Sequence, residues 1–171
     1  MQARIGAIAQ LYDLISQSSR GRTVAVDEYL REIAKAMSAS LIGNMSGIKI
    51  EVKAEPLEID PDRAVPFGLL VNELATNAIK HAFPHGTGHL MLSVEKVGDQ
   101  IELIVADDGV GMKHGGVAKI PEKRGSDYVA IFVRQLGGTI APSESEGSGT
   151  IVRIRLPLLL VPPGGAERVA A

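Results

Sequence analysis

The chain has 171 residues, with no cysteine, no tryptophan and only three tyrosines and three phenylalanines. That length builds one domain, or one domain with an appendage, around a proper core, and the missing cysteines exclude disulfides, thiolate metal centres and a thiol nucleophile, as suits a reducing cytoplasm. A net charge of −2 and the scarcity of aromatic rings leave neither a broadly basic face nor a stacking platform for nucleic acid, while the 19 glycines exceed the ~7% share of an average chain.

In chain order, the opening MQARIGAIAQLYDLI is interrupted by Arg4, Gln10 and Asp13. It therefore lacks the unbroken apolar core of a signal peptide and reads as mature protein. Ile5, Ile8, Tyr12 and Ile15 recur at three- and four-residue steps, which predicts an amphipathic helix ending in the polar run at 18–21. Asp27 is the expected N-cap of a second helix with Leu30, Ile33, Ala34 and Met37 on one face, stopped at Gly43-Asn44. Two such helices joined by a short link suggest a hairpin or an oligomer interface.

From Gly47 the period drops to two. Ile48, Ile50 and Val52 alternate with Lys49, Glu51 and Lys53 as in a half-buried strand, and Leu57 and Ile59 continue as a shorter one. Asp60-Pro61 reads as a cap followed by a first-turn proline, opening a helix that runs to about Phe83 with a kink or late start at Pro66. Pro84, Gly86 and Gly88 end it. Strands near 89–96 and 100–106 flank a Gly98-Asp99 turn. A glycine-rich loop over 107–125 leads into a helix over 126–136 that Gly137-Gly138 stops. Strands near 139–143 and 149–156 close the pattern, and the tail is expected to be disordered. Its apolar run, Leu158 to Val161, is far short of the ~20 residues that span a bilayer, so no membrane contact by this chain is expected.

Two constellations carry chemistry. In VNELATNAIKHAF, Glu73, Asn77 and Lys80 share one helical stripe while Leu70, Leu74 and Ala78 pack the other. An amide oxygen suits Mg²⁺, an ammonium neutralises phosphate and a carboxylate accepts a proton; the same stripe would equally serve as an ordinary solvent-facing surface. After the apolar strand IELIVA, Asp107-Asp108-Gly109-Val110-Gly111-Met112 puts a carboxylate at a strand end, ahead of two glycines that admit a flat ligand. That suits an adenine amino group, although a plain Asp-Gly turn has the same wording. There is no GxxxxGK[ST], and the sixth position of a GxGxxG counted from Gly109 is His114. His81, His85 and His89 stand four apart, but Pro84, Gly86 and Gly88 break the helix that would align them, so no zinc site is expected.

Together these residues carry a resemblance. Glu73-x-x-x-Asn77-x-x-Lys80 resembles the N box of the histidine-kinase and Hsp90-like ATPase superfamily. Asp107-x-Gly109-x-Gly111 resembles its first glycine box, and Gly149-Thr150 its closing Gly-Thr element, in matching order over about 48–157. NELATNAIKHAF and RQLGG resemble the sensor histidine kinases with a short ATP lid; the related group named for a Trp-x-Glu motif is set aside because there is no Trp. The resemblance implies a Bergerat-type two-layer α/β sandwich, a mixed sheet of about five strands against three helices, preceded by two amphipathic helices. It divides the chain into 1–46, the C-terminal remnant of dimerisation and phosphoacceptor helices; 47–157, the ATP-binding catalytic domain; and the tail, 158–171.

The same resemblance implies roles. Glu73 would polarise the acceptor imidazole, Asn77 ligate Mg²⁺ and Lys80 contact phosphate. Asp107 would bind the adenine amino group, Gly109 and Gly111 line the base, Met112 lie beside the nucleotide, and Thr150 help close the pocket under a lid at 113–124, while His81 is expected to pack beside the nucleotide or in the core. Two departures stand out. The second glycine box reads KRGSDYVA, with Lys123 at the first glycine and Gly125 kept, so that Lys123 and Arg124 would either grip phosphates by charge in place of backbone amides or mark a weakened lid. The four histidines, His81, His85, His89 and His114, all lie outside the N-terminal helices where the family carries its phosphoacceptor. The expected function is the ATP- and Mg²⁺-dependent catalytic domain of a cytoplasmic, dimeric sensor histidine kinase. It would phosphorylate a histidine supplied upstream or by another chain, for relay to a response-regulator receiver aspartate. The alternatives are an anti-sigma-factor-type serine kinase and a degenerate, non-catalytic nucleotide-binding or scaffold module.

Overall fold

The computed structural model describes residues 23–40, 47–111, 125–141 and 149–158. The helix expected over 5–15, the stop at Gly43-Asn44, the 113–124 lid and the tail beyond Leu158 fall outside them. In chain order the described elements are β1 (Val24–Ala25), α1 (Val26–Ser40), β2 (Gly47–Ala54), β3 (Glu58–Ile59), α2 (Pro61–Ala82), β4 (Thr87–Val97), β5 (Gln100–Asp107), α3 (Gly125–Gln135), β6 (Thr139–Ile140) and β7 (Thr150–Pro157). Five strands form one mixed sheet in the order β2-β4-β5-β7-β6, with β2 parallel to β4 and every other pair antiparallel. β1 and β3 make a separate antiparallel ribbon.

Alternation along the strands decides which face is covered. Leu90, Leu92 and Val94 of β4, Ile101, Leu103 and Val105 of β5, and Ile154 and Leu156 of β7 are buried in one cluster with Leu30 and Ile33 of α1, Leu70 and Leu74 of α2, and Val129 and Val133 of α3. The register pairs these inward residues directly, Leu103 opposite Ile154 and Ile101 opposite Leu156. The two-layer α/β sandwich expected from the sequence is thus the fold, with three helices among the described residues against the sheet. On the opposite parity, the buried Glu102 carboxylate accepts from Arg155 at 2.9 Å and lies 3.7 Å from Arg153.

α1 differs from its expectation at the start. Asp27 is not the N-cap: it lies in the first turn of a helix that begins at Val26. The N–H of Val26 donates to the Leu57 carbonyl at 2.8 Å, so a tertiary partner serves a donor that a capping side chain would otherwise satisfy, and Asp27 instead complements the helix dipole and pairs with Arg31 at 2.8 Å. Leu30, Ile33, Ala34 and Met37 are buried as their spacing predicts. The Tyr29 hydroxyl, whose pKa burial pushes up, donates to the Ala64 carbonyl at 3.0 Å and ties α1 to α2.

α2 opens as expected: Asp60 accepts the Asp62 N–H at 2.8 Å, with Pro61 at the first helical position. The helix does not start late at Pro66 but runs through it. The backbone donor that proline lacks would have served Asp62, an exposed residue of the first turn. Arg63, on the same turn, donates to the carbonyls of Leu136 at 3.1 Å and Pro157 at 3.0 Å, joining the start of α2 to the ends of α3 and β7. α3 closes with Gly137 at φ +70°, its N–H on Arg134 and that of Gly138 on Val133, the paired bonds of a left-handed helix stop.

Candidate functional site

The site grows from the end of β5. Five consecutive buried residues, Ile101 to Val105, carry the strand through the core, and it emerges at Asp107 directly opposite Thr150, the first residue of β7. Asp107 Oδ1 accepts the Gly109 N–H at 3.0 Å. Partial burial pushes the Asp107 carboxyl above its ordinary pKa, and the neighbouring Asp108 charge adds to this, against hydrogen bonds from Gly109 and Thr150 that favour the ionised form. A carboxylate offers about four acceptor sites, so this half-buried group keeps capacity for an incoming donor.

Beyond Asp107 the chain leaves the sheet and docks on α2. Gly109 lies so close to Ala82 that a side chain there would overlap the carbonyl and Cβ of that residue, which is why glycine is required although its φ is not positive. The Val110 N–H then donates to the Ala82 carbonyl at 2.9 Å, satisfying one of the acceptors a helix end leaves open. Gly111, at φ +67°, ends this described stretch. On the other side, Gly149 sits against the Asp107 carbonyl.

The helix that receives this loop bears the other candidates. Glu73 and Asn77 are half-buried, and Leu70, Leu74 and Ala78 pack toward the core. Lys80 and His81 are exposed in the last turn, so His81 does not pack in the core. The structure thus brings Asp107, Gly109 and Thr150 together at the ends of β5 and β7 and docks Gly109 and Val110, with Gly111 next in the chain, on the end of the helix that carries Glu73, Asn77, Lys80 and His81. Gly125 opens α3; Met112, Lys123 and Arg124 lie outside the described residues. His85 and His89 are exposed, and among the described residues no three His, Asp or Glu side chains cluster as metal ligands.

Chemically, the arrangement offers an acceptor half-withdrawn from water, a glycine backbone bare of side chains, and a neighbouring helix with a hard amide oxygen, a carboxylate and an ammonium. That donor set fits a purine nucleotide with its phosphates and a Mg²⁺ ion. Sequence reasoning gave Asp108 and Ala82 no role. Asp108 was visible only as the second of two acids, and Ala82 carries no chemical signal because it contributes through its backbone.

Residues 62–160 match the sequence pattern of the histidine kinase-, DNA gyrase B- and HSP90-like ATPases. The chain is 31% identical over 165 residues to blue-light-activated histidine kinase 2 of Erythrobacter litoralis, covering 92% of this chain and 46% of the relative. It is 27% identical over 158 residues to the sensor histidine kinase PdtaS of Mycobacterium tuberculosis, covering 91% of this chain and 31% of that protein. The chain therefore spans less than half the length of these two relatives. In three dimensions it resembles the solved histidine kinase domain of an Erythrobacter litoralis blue-light-activated histidine kinase, with TM-score 0.75 and 31% identity over 91% of this chain and 73% of the other. No helix among the described residues is long and apolar enough to cross a membrane.

Proposed function

The chain belongs to the histidine kinase-, DNA gyrase B- and HSP90-like ATPase family, and from that membership we propose that it is the ATP-binding catalytic part of a short-lid sensor histidine kinase working in the cytoplasm. The observation that carries the reading is the half-buried Asp107 carboxylate, held by Gly109 in a loop docked on the helix of Glu73 and Asn77. In this reading Asp107 accepts from the adenine amino group. Gly109 and Gly111 run along the base, with His81 and Met112 at its edge and Thr150 closing one side. Lys80, Lys123 and Arg124 neutralise phosphate charge, and Gly125 marks the end of the lid.

Asn77 would hold Mg²⁺, which when bound neutralises phosphate charge. Glu73 orients the acceptor imidazole and takes its proton as the ring nitrogen bonds to the γ-phosphorus and the bond to the β,γ-bridging oxygen breaks, releasing ADP. The protein's contribution is positioning and charge stabilisation. The acceptor histidine comes from an upstream segment or a second chain, in a homodimer, and the phosphoryl group passes on to a receiver-domain aspartate. In this reading the nucleotide-binding unit extends back from Gly47 to β1, which is supported by the burial of Tyr29, Leu30 and Ile33 of α1 in the core shared with the sheet.

The test incubates the whole chain with Mg²⁺, γ-radiolabelled ATP and the phosphoacceptor domain of the Erythrobacter relative. Acid-labile, alkali-stable label on the acceptor, lost in Glu73→Ala, is the expected result. Acid-stable label favours the serine-kinase alternative. Nucleotide binding without label, with label appearing in Lys123→Gly, favours the degenerate module to which Lys123 at a glycine position points.

A further inference from the structure

The regular β4–β5 ladder has its last pair at Leu90 and Asp107. One step further on, the Asp108 N–H still donates to the His89 carbonyl at 3.2 Å, but the His89 N–H is accepted at 2.6 Å by Asp108 Oδ1. A continuing strand would have offered its own backbone carbonyl there. The carboxylate takes the place of that carbonyl, and the main chain at 108 is released to turn off the sheet. It turns toward α2, where the Val110 N–H meets the Ala82 carbonyl, while the Gly109 N–H donates back to Asp107 Oδ1 at the strand end. Gly88 leaves room for the exchange, since a Cβ there would stand 2.8 Å from Asp108 Oδ1 and overlap the Phe83 ring.

The geometry points to Asp108 as a positioning residue for nucleotide recognition: by ending the ladder with its side chain it sets the path on which the backbone leaves β5 and so aims the Asp107 carboxylate. This rests on the reading of Asp107 as the adenine acceptor. What the position needs is an acceptor oxygen rather than a charge, so the amide of asparagine replaces it and a methyl does not.

The experiment compares Asp108→Ala and Asp108→Asn with the wild-type chain, each held well below its unfolding midpoint and checked by circular dichroism. Affinity for a non-hydrolysable ATP analogue with Mg²⁺ is read by calorimetry, and amide hydrogen exchange at Gly109 and Val110 is read without nucleotide. Loss of a hydrogen bond to a charged group predicts about tenfold weaker binding in Asp108→Ala, with faster exchange at both amides, and near wild-type behaviour in Asp108→Asn. If Asp108→Ala does not fold, Asp108→Ser, whose hydroxyl falls one bond short of the acceptor position, is expected to show the same losses. Binding within twofold of wild type in the alanine variant, or equal damage by asparagine, overturns the proposal. If the wild-type chain binds no nucleotide, the adenine reading falls; unchanged exchange at Gly109 and Val110 in Asp108→Ala then overturns the clamp as well, and accelerated exchange upholds it.

Discussion

Asp107 is pulled in two directions. Partial burial raises its folded-state pKa above the unfolded value, so its favourable contribution to stability is fully present below the unfolded pKa of about 3.9 and is lost as pH rises through the folded value. At neutral pH the ionised group therefore strains the ligand-free protein, while the proposed recognition of adenine needs that acceptor. Asp107→Asn is expected to raise the ligand-free unfolding midpoint at pH 7 by a few degrees at most, with the gain fading toward pH 4, and to weaken ATP-analogue binding at the same time. Scanning fluorimetry across pH, with and without nucleotide, reads both effects. Gly109→Ala makes the complementary case: its methyl overlaps Ala82, and overpacking of this kind costs about 1–3 kcal/mol, measurable by urea titration together with a loss of binding. The Asp107-x-Gly109 spacing is plain in the sequence, but the reason for the glycine is not, because the group it must avoid is a backbone carbonyl at the end of a distant helix.

At the level of elements, legibility followed local signals. α2 shows its cap, its first-turn proline and its apolar face in the sequence, and β4 and β5 show as two apolar runs flanking the Gly98-Asp99 turn. β1 is too short, at two residues, to have a period, and the start of α1 was misplaced because Leu57, not a neighbouring side chain, takes its first N–H. Pro66 suggested a kink or a late start, and the helix does not start late but begins at Pro61. Arg63 is silent in sequence yet holds the ends of α3 and β7. Arg63→Met removes two charge-assisted hydrogen bonds to partly buried carbonyls, and a loss of about 2 kcal/mol is expected by chemical denaturation. Lysine recovers only part of it, since a single ammonium does not reproduce the guanidinium fork.

For the whole molecule, nine of the 19 glycines fall between 109 and 149, and two of them, Gly109 and Gly149, lie against backbone at the candidate site. The extent of the folding unit was less legible, because an amphipathic helix announces a buried face without naming what it is buried against. Here the face of α1 lies in the core of the sheet. A fragment of residues 47–158 loses Tyr29, Leu30, Ile33 and Met37 from that core, at about 2 kcal/mol each, which is comparable to the whole stability of a typical domain. Circular dichroism is expected to show it unfolded or molten, whereas residues 23–158 melt cooperatively; a cooperative transition in the shorter fragment would place the boundary at Gly47 after all. The most direct test of the central claim, that this chain recognises adenine through Asp107, is calorimetric titration of the full chain with Mg²⁺ and a non-hydrolysable ATP analogue, beside Asp107→Asn and the corresponding guanine analogue. Saturable one-site binding by the wild type, weakened about tenfold or more in the variant and with the guanine analogue, is the predicted result, and no binding, or equal binding in all three titrations, contradicts it.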